Sequence, residues 1–227
     1  FWRGLRHIVR LGHIARHRGL WCVRRVLDRG FCRNAIVAFI KAHPGKVGTR
    51  EIAREFGLKN ALTVGIALGL GLGTYIQSQG LSRIVVGHDF RSYSLTIKQA
   101  LTLGLLSAGC EVHDIGLALS PVAYFAQFDL DIPCVAMVTA SHNENGWTGV
   151  KMGAQRPVTF GPDEMGRLRD IVLGGAFVER DGGKLIRVEG EAERFIADVA
   201  KRASITRPLK VIAACGNGTA GAFAVDA

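Results

Sequence analysis

Acidic side chains are nearly missing from the first quarter of this chain. Residues 1–60 hold 3 of the 19 Asp and Glu but 14 of the 29 Lys and Arg, a local net charge of +11. Residues 61–227 carry a net charge of −1, so the pI near 9.8 describes one end only. That imbalance argues against nucleic-acid binding by the chain as a whole and confines it to residues 1–60. Cysteine is sparse and odd in number: Cys22, Cys32, Cys110, Cys134 and Cys215, with no CxxC pair. A disulfide framework and a zinc ribbon are thereby excluded, and a reducing, cytoplasmic setting is expected. No G-x-S-x-G elbow occurs, which argues against acyl transfer. The longest uncharged apolar run, residues 61–76, is 16 residues and falls short of the ~20 needed to cross a bilayer.

What is present reads as a globular α/β protein. Apolar residues make up 48% and charged residues 21%, which excludes wholesale disorder. Residues 2–29 have broadly helical apolar spacing among basic side chains, and residues 34–60 read as two short helices broken at Pro44-Gly45. Residues 61–76 predict a helix with Gly65, Gly69 and Gly73 on one face, expected to lie against a sheet. Strands are expected at 83–87, 111–115, 132–138 and 150–152, with helices at 93–108, 162–173 and 192–202. A further strand at 209–214 is expected to open a second unit. The organisation is therefore a basic helical segment (1–60), a three-layer α/β/α domain with a mixed sheet (61–188), and the start of another domain (205–227). The chain opens without Met and stops soon after that last pattern begins, so a piece of a longer protein, or a join of two, is expected.

Ligands of open α/β sheets gather at the carboxyl ends of strands. The strand ends here carry Gly87-His88-Asp89-Phe90-Arg91, Asp114-Ile115-Gly116 and Thr139-Ala140-Ser141-His142-Asn143. The third is the richest: an apolar strand delivers a serine beside a proton acceptor, and Lys151 returns on the next extended segment. A hydroxyl, an imidazole and a cation at one strand tip suit acyl or phosphoryl chemistry. Residues 209–221 also fit a strand followed by G-x-G-x-x-G (Gly216, Gly218, Gly221), the dinucleotide fingerprint. The acidic residue expected ~20 positions later has no room, because only six residues follow Gly221.

The run TASHNENGWTGVKMG (139–153) resembles the phosphoserine loop of the α-D-phosphohexomutases, the phosphomannomutase/phosphoglucomutase family. GLGLGTYI, VVGHDFRSYS, AGCEVHDIGLALSP, FGPDEMGRL and LKVIAACGNGTAG follow that family's order from about Leu62 onward. The resemblance implies the first of four family domains and the opening of the second. It implies a cytoplasmic isomerase of hexose 1- and 6-phosphates (mannose or glucose), with a hexose 1,6-bisphosphate as activator. Ser141 would be the phosphorylated serine and, through its phosphate, a Mg2+ ligand. His142 and Lys151 would serve proton transfer and charge stabilisation, and Arg91 and Asn143 would bind phosphate or position the loop. The family's aspartate-rich metal loop, sugar-recognition loop and C-terminal phosphate loop would fall beyond Ala227, so this stretch alone is expected to turn over little. Upstream, AIVAFIKAHPGKVGTREIAREFGLKNA resembles the N-terminal winged helix of bacterial ribonuclease R, which keeps open a fusion with a basic nucleic-acid-binding end.

Overall fold

The computed structural model describes residues 61–225. The basic segment, its short helices, the ribonuclease R-like run and any nucleic-acid contact they make lie outside the described residues.

Helix α1 (Ala61–Ser78) leads into β1 (Arg83–His88), α2 (Ser94–Ser107) and β2 (Glu111–Leu117). Helix α3 (Ser120–Asp129) follows, then β3 (Cys134–Val138), β4 (Val150–Gly153), α4 (Pro162–Gly174), β5 (Lys184–Arg187) and α5 (Glu191–Arg202). The five strands form one mixed sheet in the order β4-β3-β1-β2-β5, with only β4 antiparallel to its neighbour.

The strand sequences explain the layering. Alternate residues of a strand point to opposite faces. Ile84 and Val86 of β1 join Val112, Cys134, Ala136 and Val138 in a core covered by α1, α2 and α4. Val85 joins Val135, Met137 and Ile115 on the other face, under Val122, Ala123 and Ala126 of α3 and Phe195 of α5. Strand β1 is thus apolar on both sides, as the continuous run IVV demands of a central parallel strand.

Three sequence expectations are corrected. The glycine face of α1 meets α2, not the sheet. A Cβ on Gly69 would stand 2.0 Å from the Leu101 carbonyl oxygen, and one on Gly104 of α2 would stand 2.1 Å from that of Ile66. Glycine lets two helix backbones approach this closely, while the bulkier Leu70, Leu72 and Ile76 fill the remaining core. Helix α3 and strand β5 add to the expected elements. The residues of β5 are all exposed, so no buried face announces the strand. Residues 209–214 form no strand: Leu209, Val211 and Ile212 are exposed, the last to 92%, and no neighbouring strand pairs with them among the described residues. The glycine fingerprint therefore lacks the strand that dinucleotide binding requires. No helix among the described residues is long and apolar enough to cross a membrane.

Candidate active site

Strand order fixes where a ligand can bind. From β1 the chain crosses to β2 on one side and later returns to β3 on the other, so the carboxyl ends of β1 and β3 flank a switch point. The two ends are tied directly, the Asp89 amide donating to the Val138 carbonyl at 2.9 Å. The loops leaving β1 and β3, residues 89–93 and 139–149, meet there.

Asp89 is the inner anchor. Its side chain is nearly buried, and burial of a carboxylate demands partners. It accepts from the Ser94 hydroxyl (2.5 Å), the Arg91 amide (3.2 Å) and the Ala140 amide (3.3 Å), with the Arg91 Nε 3.6 Å away. Arg91 spends its other nitrogens on the serine loop. It donates to the carbonyls of Ser141 (3.3 Å), Asn143 (2.5 Å) and Glu144 (3.0 Å). Tyr93 completes the clamp: its phenol donates to the Trp147 carbonyl (2.7 Å) and accepts from the Gly146 amide (2.9 Å) and Arg91 Nη1 (3.2 Å). One donor and two acceptor sites exhaust a phenol oxygen.

So held, the loop keeps Ser141 at φ +54°, a left-handed conformation rare for a residue with a Cβ. Such strain persists where the surroundings over-determine it, and it concentrates at functional sites. The Ser141 amide donates to the Thr139 hydroxyl (2.9 Å), and the Asn143 amide and carboxamide both donate to the Ala140 carbonyl (3.0 Å each). The Ser141 hydroxyl lies 3.3 Å from His142 Nδ1. Of the five expected site residues, four are thus in one loop system. Lys151 is not bonded into it: on β4, its ammonium donates to the Ser120 hydroxyl at 3.3 Å.

The loop lines a cleft of about 460 Å³ together with Asp89, Phe90 and Arg91 and with Asn217, Gly218 and Thr219 from near the end of the chain. The Phe90 amide donates to Thr219 Oγ1 at 3.1 Å, tying that stretch to the β1 loop. Beneath, burial holds the His88 imidazole below its ordinary range, with the nearby Lys98 ammonium adding to the effect, so it is neutral at pH 7. The second strand end is structural. Lys98 donates to both Asp114 oxygens (2.5 and 2.6 Å) as a buried pair, and Asp114 also accepts from the Gly116 amide. Tyr93, Asp89 and residues 217–219 carry no signal of their own role in the sequence, because each acts through a contact distant along the chain.

The described residues do not by themselves form a magnesium site. No three His, Cys, Asp or Glu side chains gather among them, and the one carboxylate in the cleft, Asp89, is committed to its own hydrogen bonds.

The layered α/β domain thus holds a serine loop by its main chain at the switch point of its sheet, with Ser141 at the cleft. Residues 41–179 match the family model "Phosphoglucomutase/phosphomannomutase, alpha/beta/alpha domain I", and the chain belongs to that family. The match reaches back across the REIAREF run, residues 50–56. A protein of Pyrococcus furiosus named "Probable phosphoglucosamine mutase" is 33% identical over 177 residues, 77% of this chain and 38% of that protein. One of the same name from Thermococcus gammatolerans is 32% identical over 173 residues, 75% of this chain and 38% of its own. A crystal structure of a phosphoglucomutase/phosphomannomutase family protein from Burkholderia thailandensis superposes with a TM-score of 0.66 at 27% identity, covering 73% of this chain and 37% of that one. The chain spans about 38% of the length of these curated relatives.

Proposed function

We propose that this chain supplies the phosphoryl-carrying domain of a phosphohexomutase, which interconverts hexose 1- and 6-phosphates through a phosphoserine and a bisphosphorylated sugar. The observation that carries this reading is the strained Ser141, whose loop is fixed by Arg91 and Tyr93 while its hydroxyl, at the cleft, meets only His142 Nδ1. Attack of Ser141 Oγ on a phosphorus of a hexose 1,6-bisphosphate forms the Oγ–P bond and breaks the bond from that phosphorus to the sugar oxygen. The seryl proton passes to His142 Nδ1 and from there to the released sugar oxygen. In turnover the phosphoserine gives its phosphoryl group to the free hydroxyl of a hexose monophosphate, making the bisphosphate. The sugar turns, and Ser141 then takes the other phosphoryl group by the step above, leaving the isomeric monophosphate and the phosphoserine restored.

Arg91 and Asn143 act in this reading as positioning groups: the guanidinium donates to loop carbonyls and to the Tyr93 phenol, and the Asn143 carboxamide donates to the Ala140 carbonyl. Lys151 adds positive charge from the neighbouring strand. Magnesium would be held by the phosphate on Ser141 together with carboxylates outside the described residues, and would supply electrostatic support to the transferring group. The substrate class is an aldohexose phosphate. The names of the archaeal relatives add glucosamine phosphate to the mannose and glucose phosphates of the sequence reading.

The reading is tested with labelled hexose 1,6-bisphosphate, given to the chain alone and joined to the remaining length of the Pyrococcus furiosus relative. Label should appear on Ser141 in the joined protein and vanish in Ser141→Ala. Label that survives Ser141→Ala would sink the assignment. Turnover of glucosamine, mannose and glucose 1-phosphates by the joined protein then orders the substrates.

A further inference from the structure

The glycine-rich run after residue 214 is not absorbed by the dinucleotide reading, and its position gives it another task. Residues 217–219 line the same cleft as Ser141, and Thr219 is bonded to the β1 loop through the Phe90 amide. A phosphoryl group on Ser141 would bring a charge of about −1.5 to −2 and three strong acceptor oxygens into that space. Those oxygens need donors, and the guanidinium nearest the loop is committed elsewhere. Arg91 donates to three loop carbonyls and to Tyr93, and its Nε faces Asp89. The Asn143 carboxamide gives one of its two protons to Ala140, and Lys151, on β4, gives one of its three to Ser120. Among the described residues, Asn217 makes no side-chain hydrogen bond, and the Thr219 hydroxyl accepts from Phe90 with its own proton unspent.

We propose that Asn217 and Thr219 are phosphate-holding residues: in the cleft, their carboxamide and hydroxyl donate to the phosphoryl oxygens carried by Ser141. The ligand class is a phosphate monoester dianion, and both contacts are neutral. Neutral donors steady the dianion without neutralising it, so it remains available to leave for a sugar hydroxyl. The inference rests on Ser141 being the phosphoryl carrier, and it deepens that reading by naming further residues of the same site.

The test installs phosphoserine at position 141 during synthesis of the whole chain and follows its 31P resonance with pH. Donors that prefer the dianion lower its second pKa, so removing one raises the midpoint by roughly half a pH unit. Asn217→Ala and Thr219→Val should each show that rise, while Thr219→Ser, which keeps the hydroxyl, should titrate like the parent. Asn217→Asp, nearly isosteric and like-charged, should raise the midpoint further, and it serves if the alanine variant does not fold. Gln79→Ala, an exposed site outside the cleft, should leave the midpoint unchanged. Midpoints unmoved in the Asn217 and Thr219→Val proteins would overturn the proposal. Because the phosphate is built in, that result is separate from failure of Ser141 to take label from a bisphosphate, which would overturn the carrier reading instead.

Discussion

On one face of the sheet, α1 and α2 meet backbone to backbone at Gly69 and Gly104, with Gly65 and Gly73 against alanine Cβ atoms; on the other, α3 and α5 meet through an aromatic edge contact and an ionic cluster. The Phe125 and Phe195 rings sit 5.6 Å apart at 69°. Arg194 donates to Asp129 (2.9 Å) and to the buried Glu191, whose second oxygen has no hydrogen-bond partner. The first interface leaves no room for a single added carbon, whereas the second consists of side chains that can adjust. Tolerance to substitution should therefore differ sharply between the two faces, although both cover the same strands.

The largest effect is expected from Gly69→Leu. Its Cβ would fall on the Leu101 carbonyl, a backbone atom that cannot swing aside, so the cost should reach roughly 3 kcal/mol or more, the upper end of overpacking. Thiol chemistry reads the same interface. Burial pushes the Cys110 thiol up to about 11 and that of Cys134 to about 12, so both stay protonated and unreactive at pH 8. Peptide mapping after brief alkylation should find them unmodified in the parent and modified in Gly69→Leu, while the partly exposed Cys215 reacts in both. A parental urea midpoint and protected thiols in the Gly69→Leu protein would show that the helices can slide apart cheaply.

Phe195→Ala tests the other face at intermediate size. It removes the ring contact and a partly buried side chain, for an expected loss of about 2 kcal/mol, with Cys110 and Cys134 still protected. Loss of thiol protection in this variant would mean that the two layers unfold together and that the contrast between them is not energetic.

The smallest effect belongs to Glu191. Burial raises its carboxyl above the ordinary glutamate value of 4.5, outweighing the opposing pull of Arg194. The folded state then holds a proton that the unfolded chain has released, so this group's contribution to stability falls as pH rises from 4.5 through the raised value. Glu191→Gln cannot ionise, so its melting temperature relative to the parent should climb by a degree or so across that window. A difference that stays flat with pH would assign Glu191 a fully ionised state paired to Arg194.

Much of this architecture is legible in the amino-acid order. The uncharged run from residue 61, the RIVVG and CVAMV strands and the glycine-terminated helices carry strong local periodicity, and each appears within a few residues of its expected bounds. Helix α3 escapes such a reading because its inward face is made of Val122, Ala123 and Ala126, too small to stand out from a loop. The orientation of α1 escapes it because a glycine stripe says that something comes close, not whether that something is a sheet or another helix. The strand expected at 209–214 fails for the opposite reason: local β-propensity is there, but a ladder needs a neighbour. At the site, Ser141, His142, Asn143 and Arg91 can be named from their loop and strand end. The clamp by Tyr93, the anchor at Asp89 and the approach of residues 217–219 to the cleft depend on contacts between residues about 50 to 130 positions apart, as the bonds from Tyr93 to Trp147 and from Phe90 to Thr219 show.

The bonds from Arg91 and Tyr93 to the serine loop end on carbonyls of residues 141, 143, 144 and 147 and on the amide of Gly146, never on a loop side chain. A template that grips only the main chain is blind to spelling. Side chains at 144, 145 and 147 can be exchanged without unmaking the turn that sets Ser141, which leaves the loop's outer face free to vary while the serine oxygen stays in register.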